Sequence, residues 1–318
     1  MRYGQADNWL IPGTILHNRY VVGKCLLHGA GYKNTYLAWD HVQEIKVVIN
    51  EYFPVDFCAR FPQKSELIHI CIREFQDGMK WFLDGVRTIY QFRNEPGILT
   101  VWDFFEENKT AYAVSEYLGN AVMLNEFIKN KERMTGEGAA ALLKPVMNAL
   151  KAMHSAGYIH RDITPNNISV SSDGAAKLIN FSILMKYRSD RQSPSIVLSP
   201  GYAPVELYCS SNKGQLGPWT DVYSLGATMY RIVTGIKPEE AIQRKMCDRL
   251  LPPNKRKPIL TEGFSDAIMK ALAVDKKRRF KTVEEFEKAL EKGNIKDARR
   301  KKKERNNEKM FGLYGNIR

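Results

Sequence analysis

The sequence predicts an α+β chain organised as two lobes, on three observations. Short β-branched or aromatic runs crowd the first ~120 residues, helix-forming segments fill most of the remainder, and no internal repeat interrupts that order. With 318 residues and 44% hydrophobic content, the chain can bury a sizeable core.

Taken in order, Tyr20–Leu27, Thr35–Trp39 and Ile45–Asn50 read as strands, with the turn His28-Gly29-Ala30-Gly31 between the first two. Glu74–Phe92 has helical spacing, because Phe75, Met79, Phe82, Val86 and Ile89 recur three or four apart. Leu99–Glu106 and Ala111–Glu116 form a predicted hairpin around Glu107-Asn108-Lys109-Thr110. Beyond Tyr117-Leu118-Gly119-Asn120 the character turns helical. Thr135 opens a helix whose Ala140–Met153 stretch is strongly helix-forming, without a full capping box. Thr220–Thr234 is an apolar helix ended by Gly235 and Pro238. Ser265–Ala273 and Thr282–Leu290 complete the set, the second opening on a capping-box pattern at Thr282-Val283-Glu284-Glu285.

Composition narrows the class. No run of 18 apolar residues predicts a transmembrane helix, and Met1–Leu10 has neither the basic nor the apolar region of a signal peptide. Cys25, Cys58, Cys71, Cys209 and Cys247 are odd in number and never in C-x-x-C spacing, which argues against a disulfide framework or zinc site. That usage suits a reducing, cytoplasmic setting. The net charge of +13 is uneven, since residues 291–318 carry net +6. Within them the run Arg299-Arg300-Lys301-Lys302-Lys303-Glu304-Arg305 reads as a contact for nucleic acid or anionic lipid, or as an ordinary solvated arm. No aromatic residues interleave it to support base stacking. Met310-Phe311-Gly312-Leu313-Tyr314 is apolar enough for a docking peptide.

One motif carries chemistry more directly than the rest. Tyr158-Ile159-His160-Arg161-Asp162-Ile163-Thr164-Pro165-Asn166-Asn167 resembles the H-R-D-x-x-x-x-N catalytic loop of eukaryotic-type protein kinases. Other segments resemble the bacterial serine/threonine kinase group: Pro12-Gly13-Thr14, Asn50-Glu51-Tyr52-Phe53-Pro54, Gly201-Tyr202-Ala203-Pro204-Val205-Glu206 and Gly217-Pro218-Trp219-Thr220-Asp221-Val222-Tyr223-Ser224-Leu225-Gly226. The resemblance runs from about Pro12 to Leu290. It implies a two-lobed protein-kinase fold: a small antiparallel-sheet lobe with a helix over residues 1–118, a larger helical lobe over 119–290, and a basic tail over 291–318. The hinge then falls near Glu116–Asn120, with Ser115 at the gatekeeper position. Ser115 either opens a back pocket or is packed by neighbours. The resemblance further implies that Glu206 pairs with Arg279 and that Asp221 anchors the catalytic loop's backbone.

The same resemblance implies ATP and magnesium as cofactors and assigns roles in phosphoryl transfer, where positioning and charge neutralisation dominate. Asp162 holds the catalytic-base position beside His160 and Arg161, or else survives with His160 as a brace of the loop. Asn167 and Asn180 hold the magnesium-ligand positions. Asn180-Phe181-Ser182 stands where the family has Asp-Phe-Gly, so a neutral amide replaces a carboxylate and the magnesium site is weakened. Val47-Val48-Ile49-Asn50 stands for V-A-I-K, so the phosphate-binding lysine is absent. Lys46 shares that strand face but lies roughly 13 Å back at ~3.3 Å per residue. Phe82-Leu83-Asp84-Gly85-Val86 places Gly85 at the position of the lysine's glutamate partner, with Asp84 one residue away. In the phosphate-covering loop, Gly29 and Gly31 keep flexibility while all three motif glycines are replaced. Lys33, at the third, is similar to the relocated lysine of the with-no-lysine kinases, or is a solvated strand residue. Glu116, Ser115, Asn50 and Lys33 complete the implied nucleotide-binding set.

Two expectations result. The first is a pseudokinase, a regulatory or scaffolding module with weak or no phosphotransfer, acting on a protein partner such as an active kinase or its substrate. Losses at Asn50, Gly85 and Asn180 of ~3–4 kcal/mol apiece would leave little rate, although such terms need not add. The second is a divergent serine/threonine kinase that uses Lys33. The segment from Asn180 to Glu206, with Ser189, Ser193, Ser195 and Ser199, reads as a target for a partner kinase or as a plain polar loop.

Overall fold

The computed structural model describes residues 8–27, 32–130, 134–180, 185–186, 198–208 and 215–294. The chain divides into two compact units, residues 1–120 and 121–318. The expectations at Gly29 and Gly31, most of the segment between Asn180 and Ser199, and the basic and apolar runs of the tail lie outside the described residues.

The first unit is built on a six-stranded antiparallel sheet. Its strands are β1 (Ile15–Leu16), β2 (Tyr20–Leu27), β3 (Lys33–Asp40), β4 (Ile45–Tyr52), β7 (Val101–Glu107) and β8 (Thr110–Glu116), in the order β1-β2-β3-β4-β8-β7. Between β4 and the helix comes a hairpin that no sequence pattern announced, β5 (Cys58–Arg60) and β6 (Leu67–His69). Helix α1 (Ile72–Tyr90) buries Phe75, Leu83, Val86 and Ile89, the apolar stripe that its spacing predicts. The β7–β8 turn takes Asn108 and Lys109 through positive φ, which lets two residues reverse the chain. Leu16, Tyr20, Val22, Tyr36, Val47, Ile49, Tyr112 and Val114 form a core on one face of the sheet. Tyr52, Phe53, Cys58, Leu67, Phe75 and Leu83 form a second core that includes α1.

The second unit is mainly helical. β9 (Val122–Met123), α2 (Leu124–Asn130) and α3 (Gly136–Ser155) open it, followed by β10 (Tyr158–Ile159), β11 (Ile168–Val170), β12 (Ala176–Leu178) and β13 (Met185–Lys186). Then come α4 (Pro218–Thr234), α5 (Ala241–Met246), α6 (Pro253–Arg256) and α7 (Glu262–Ala271), and residues 283–294 are helical as α8. Thr135 caps α3 by accepting from the Gly138 amide at 3.1 Å. α4 is buried along nearly its whole length and stops at Gly235, whose φ of 73° is the left-handed conformation that glycine tolerates. Gly226 permits α4 to approach α7, since a Cβ there would stand 2.8 Å from that of Ala271. At α8, Thr282 accepts from the Glu285 amide at 3.2 Å, while Glu285 turns back to the Lys281 amide at 2.8 Å.

Candidate active site

In the first unit the register of the sheet decides which side chains share a face. Thr35 stands opposite Asn50, Lys33 opposite Tyr52, and Ala113 and Ser115 opposite Asn50 and Val48. Directly opposed residues point the same way. Lys33, Thr35, Val48, Asn50, Tyr52 and Ser115 therefore lie on one face, with Lys33 diagonal to Asn50. Asn50 is half-buried, and its amide oxygen accepts from the Thr35 hydroxyl at 2.9 Å. Lys33 is half-buried too, and burial lowers its ammonium below the ordinary lysine range. No ion pair to Lys33 forms among the described residues. Lys46 is exposed at the other end of β4, its ammonium 6.0 Å from the Tyr117 ring centroid.

Helix α1 lies against this same face at Tyr52, whose ring centroid is 5.1 Å from that of Phe75 and 5.7 Å from that of Phe82. Gly78 makes the approach possible, because a Cβ there would sit 1.9 Å from the Tyr52 hydroxyl. Gly85 is half-buried one turn beyond Phe82. The Asp84 carboxylate is 41% exposed and faces Arg87 at 3.4 Å. Ser115 is buried, its hydroxyl donating to the Val48 carbonyl at 3.4 Å, and Glu116 accepts from the Thr100 amide at 2.7 Å.

The opposite face of β4 holds a polar cluster that sequence reasoning missed. Glu51, fully buried, receives both arms of the Arg60 guanidinium, the hydroxyls of Tyr36 and Tyr112 at 2.8 Å each, and the Asn34 amide at 3.1 Å. Burial opposes the Arg60 charge, but Glu51 raises its pKa above the ordinary range. One signal was available: in β4 the inward positions run Val47, Ile49, Glu51, and a carboxylate at a core position demands partners.

In the second unit, α3, β10 and the start of α4 converge on the catalytic-loop sequence. Asp221, buried in the first turn of α4, accepts from the His160 and Arg161 backbone amides at 2.8 Å each and contacts His154 Nε2 at 2.8 Å. Burial works to raise the Asp221 carboxyl, yet these hydrogen bonds and the neighbouring histidines bring it below the usual carboxylate range. Arg161 is held at φ 72°, an uncommon conformation for a residue with a side chain, and burial lowers its guanidinium to about 10. Burial likewise lowers His160, against the pull of Asp221 and Asp162. Thr228 on α4 donates to the Ile163 carbonyl at 3.0 Å and braces the next turn of the loop.

Asp162 emerges from this support with both oxygens engaged. Ser199 donates to Oδ1 at 2.7 Å and Asn167 Nδ2 donates to Oδ2 at 2.5 Å. Asn180 Nδ2 in turn donates to Asn167 Oδ1 at 3.3 Å. The structure thus brings together Asp162, Asn167 and Asn180 and adds Ser199. The magnesium that the resemblance implies finds a poor donor set here. One carboxylate already accepts two hydrogen bonds, and the two amides are bonded to each other, whereas a hard dication favours anionic oxygen. Glu206 and Arg279 form the expected buried pair at 2.6 and 3.0 Å, with Thr220 also donating to Glu206 at 3.2 Å.

Comparison with known proteins agrees with this fold. The family described as "Protein kinase domain" matches residues 75–290, a span that starts in α1 and so leaves out the strands bearing Lys33 and Asn50. The probable serine/threonine-protein kinase CPE1738 of Clostridium perfringens is 27% identical over 292 residues, covering 88% of this chain and 39% of that protein. Serine/threonine-protein kinase PrkC of Bacillus subtilis is 26% identical over 286 residues, covering 87% and 41%. The chain therefore spans about two fifths of the length of these curated relatives. The solved structure "PpkA-294 apo form" matches with a TM-score of 0.76 and 29% identity, over 89% of this chain and 100% of that one. The antiparallel sheet with its helix, the helical second unit and the matched span together place this chain in the protein kinase family, beside the bacterial serine/threonine kinases.

Proposed function

We propose that this kinase-family chain is a pseudokinase, a regulatory or scaffolding module with weak or no phosphotransfer that acts on a protein partner. The observation that carries the reading is the hydrogen bond from Asn180 to Asn167, which turns two metal-ligand positions toward each other. Asn50, bonded to Thr35 and lacking a positive charge, supports it from the first unit. Members of the family use ATP and magnesium, and Asp162, Asn167 and Asn180 would face the metal here with a single negative charge among them. A cytoplasmic setting is part of this proposal. No helix among the described residues is long and apolar enough to cross a membrane.

One observation favours a second reading, a divergent serine/threonine kinase. Lys33 shares the Asn50 face, diagonal to it, and has no carboxylate partner among the described residues. An ammonium so placed suits an incoming phosphate.

Calorimetric titration of ATP with and without magnesium, on the wild type and on Lys33→Ala, separates the two. The pseudokinase reading expects either no ATP binding or binding indifferent to magnesium, together with little or no phosphate incorporation into a generic protein substrate. Magnesium-dependent binding abolished in Lys33→Ala, with phosphotransfer that Asp162→Ala also abolishes, would establish the second reading instead.

A further inference from the structure

In the second unit a stretch of surface exposes apolar groups although the chain beneath them is tied down. It comprises α5, α6 and the segment between them. Buried Arg244 on α5 donates to both Asp248 oxygens at 3.0 and 2.9 Å, to the Tyr223 hydroxyl at 3.0 Å and to the Leu272 carbonyl at 2.9 Å. Tyr230 on α4 donates to the Leu251 carbonyl at 3.0 Å and accepts from Arg256 Nε at 2.9 Å. Asn254 and Ser265 exchange hydrogen bonds at 3.3 and 3.0 Å. These bonds to α4, α7 and the residue after α7 give a short, mostly irregular stretch a defined shape.

Its outward side does not resemble an ordinary solvated loop. Met246 is 86% exposed and Leu251 48%. Lys245, Arg249, Lys255 and Arg256 are exposed among them, while Asp248 is already neutralised by Arg244. Exposed apolar groups and unpaired charge of one sign, carried together by one stretch of chain, mark an interaction surface.

We propose that this surface docks an acidic segment of a partner protein that also carries apolar side chains; the inference rests on the pseudokinase reading and supplies that module's point of contact. The unneutralised lysines and arginines select a negatively charged occupant. Met246 offers a flexible, polarisable side chain suited to apolar groups of varied shape. Arg256 is held through Nε by Tyr230, and its two terminal amino groups make no hydrogen bond among the described residues. A guanidinium fixed in that way presents a planar fork to a carboxylate. A second copy of this chain is a poor occupant, because at net +13 it would bring like charge to a basic face.

Titration of the full chain with a synthetic peptide of alternating glutamate and leucine tests the proposal, without nucleotide present. A glutamine–leucine peptide and phosphatidylserine vesicles serve as comparisons. The expected result is binding of the glutamate–leucine peptide that weakens with added salt and falls about tenfold in Met246→Asp and in Arg256→Lys. The second variant keeps the charge and loses the fork, and the first changes a side chain with almost no packed neighbours. No peptide binding, equal binding of the glutamine–leucine peptide, affinity unchanged in both variants, or binding of the vesicles in place of the peptide would overturn the proposal. Magnesium-dependent phosphotransfer that Lys33→Ala and Asp162→Ala both abolish would instead overturn the pseudokinase reading and leave the peptide result standing, so the two failures are distinguishable.

Discussion

Asn180 and Asn167, the two side chains that the family resemblance puts at magnesium-ligand positions, are joined by a 3.3 Å amide–amide hydrogen bond. The bond belongs to a longer chain, Asn180 to Asn167 to Asp162, with Ser199 closing the other side of the carboxylate. A single negative charge is thereby satisfied by neutral donors alone.

Replacing Asn180 by aspartate should reverse this. A second carboxylate beside Asn167 would repel Asp162 unless a cation bridges them. Asn180→Asp is expected to bind magnesium about tenfold or more tightly than the wild type, read by calorimetry or by a magnesium-dependent rise in Tm. Equal magnesium response in both proteins would contradict the role assigned to the amide pair.

Lys33 makes a prediction with a pH sign. Its folded pKa lies below 10.5, so the unfolded chain binds the proton more tightly and the charged folded form is disfavoured at neutral pH. Stability contributed through this group therefore rises as pH climbs through the lowered folded value towards 10.5. Lys33→Met should raise Tm at pH 7, with the gain shrinking as the pH nears 10.5. A gain of equal size at both ends of that window would point to packing rather than charge.

The buried Glu51–Arg60 pair predicts a large one-sided penalty. Arg60→Met strands a carboxylate that no solvent reaches, which typically costs about 3–5 kcal/mol. Adding Glu51→Leu to the same protein removes the stranded charge and should recover part of that loss. Urea unfolding of the two variants checks this, and a double variant less stable than Arg60→Met would refute it.

Asp221 should shape the acid limb of stability. Its folded pKa is below the ordinary 3.8, so the stability it lends is present above pH 3.8 and is lost as pH falls through the folded value. Asp221→Asn should cost about 3 kcal/mol at pH 7, since two backbone amides and His154 lose a charged acceptor. The difference from wild type should narrow below pH 4, as measured by thermal melting across an acid series. A constant difference down to low pH would assign the loss to geometry alone.

Much of the fold was readable because its signals are local. The 3.6-residue stripe of α1, the Asn108-Lys109 turn, the Thr135 cap and the Gly235 stop each depend on residues a few positions apart. Resemblance to kinase motifs pointed to Asp162, Asn167 and Asn180 and implied the Glu206–Arg279 pair that the structure contains. The β5–β6 hairpin escaped because strands of three residues carry too little periodicity to register. The Ser199 contact to Asp162 joins residues 37 positions apart, and no local pattern announces it.

By itself, the sequence determined which chemical groups stand at each motif position: amides at Asn50 and Asn180, a carboxylate at Asp162, an ammonium at Lys33. Those identities decide charge, and charge decides what each position is able to neutralise or coordinate. Only the tertiary structure decided what those groups touch. Asn50 answers to Thr35 through the strand register, Asn180 to Asn167 through the return of the chain, and Glu51 to Arg60 beneath the sheet. Hydrogen-bond partners and burial arise where distant segments pack, and packing is a property of the whole chain rather than of any short run within it.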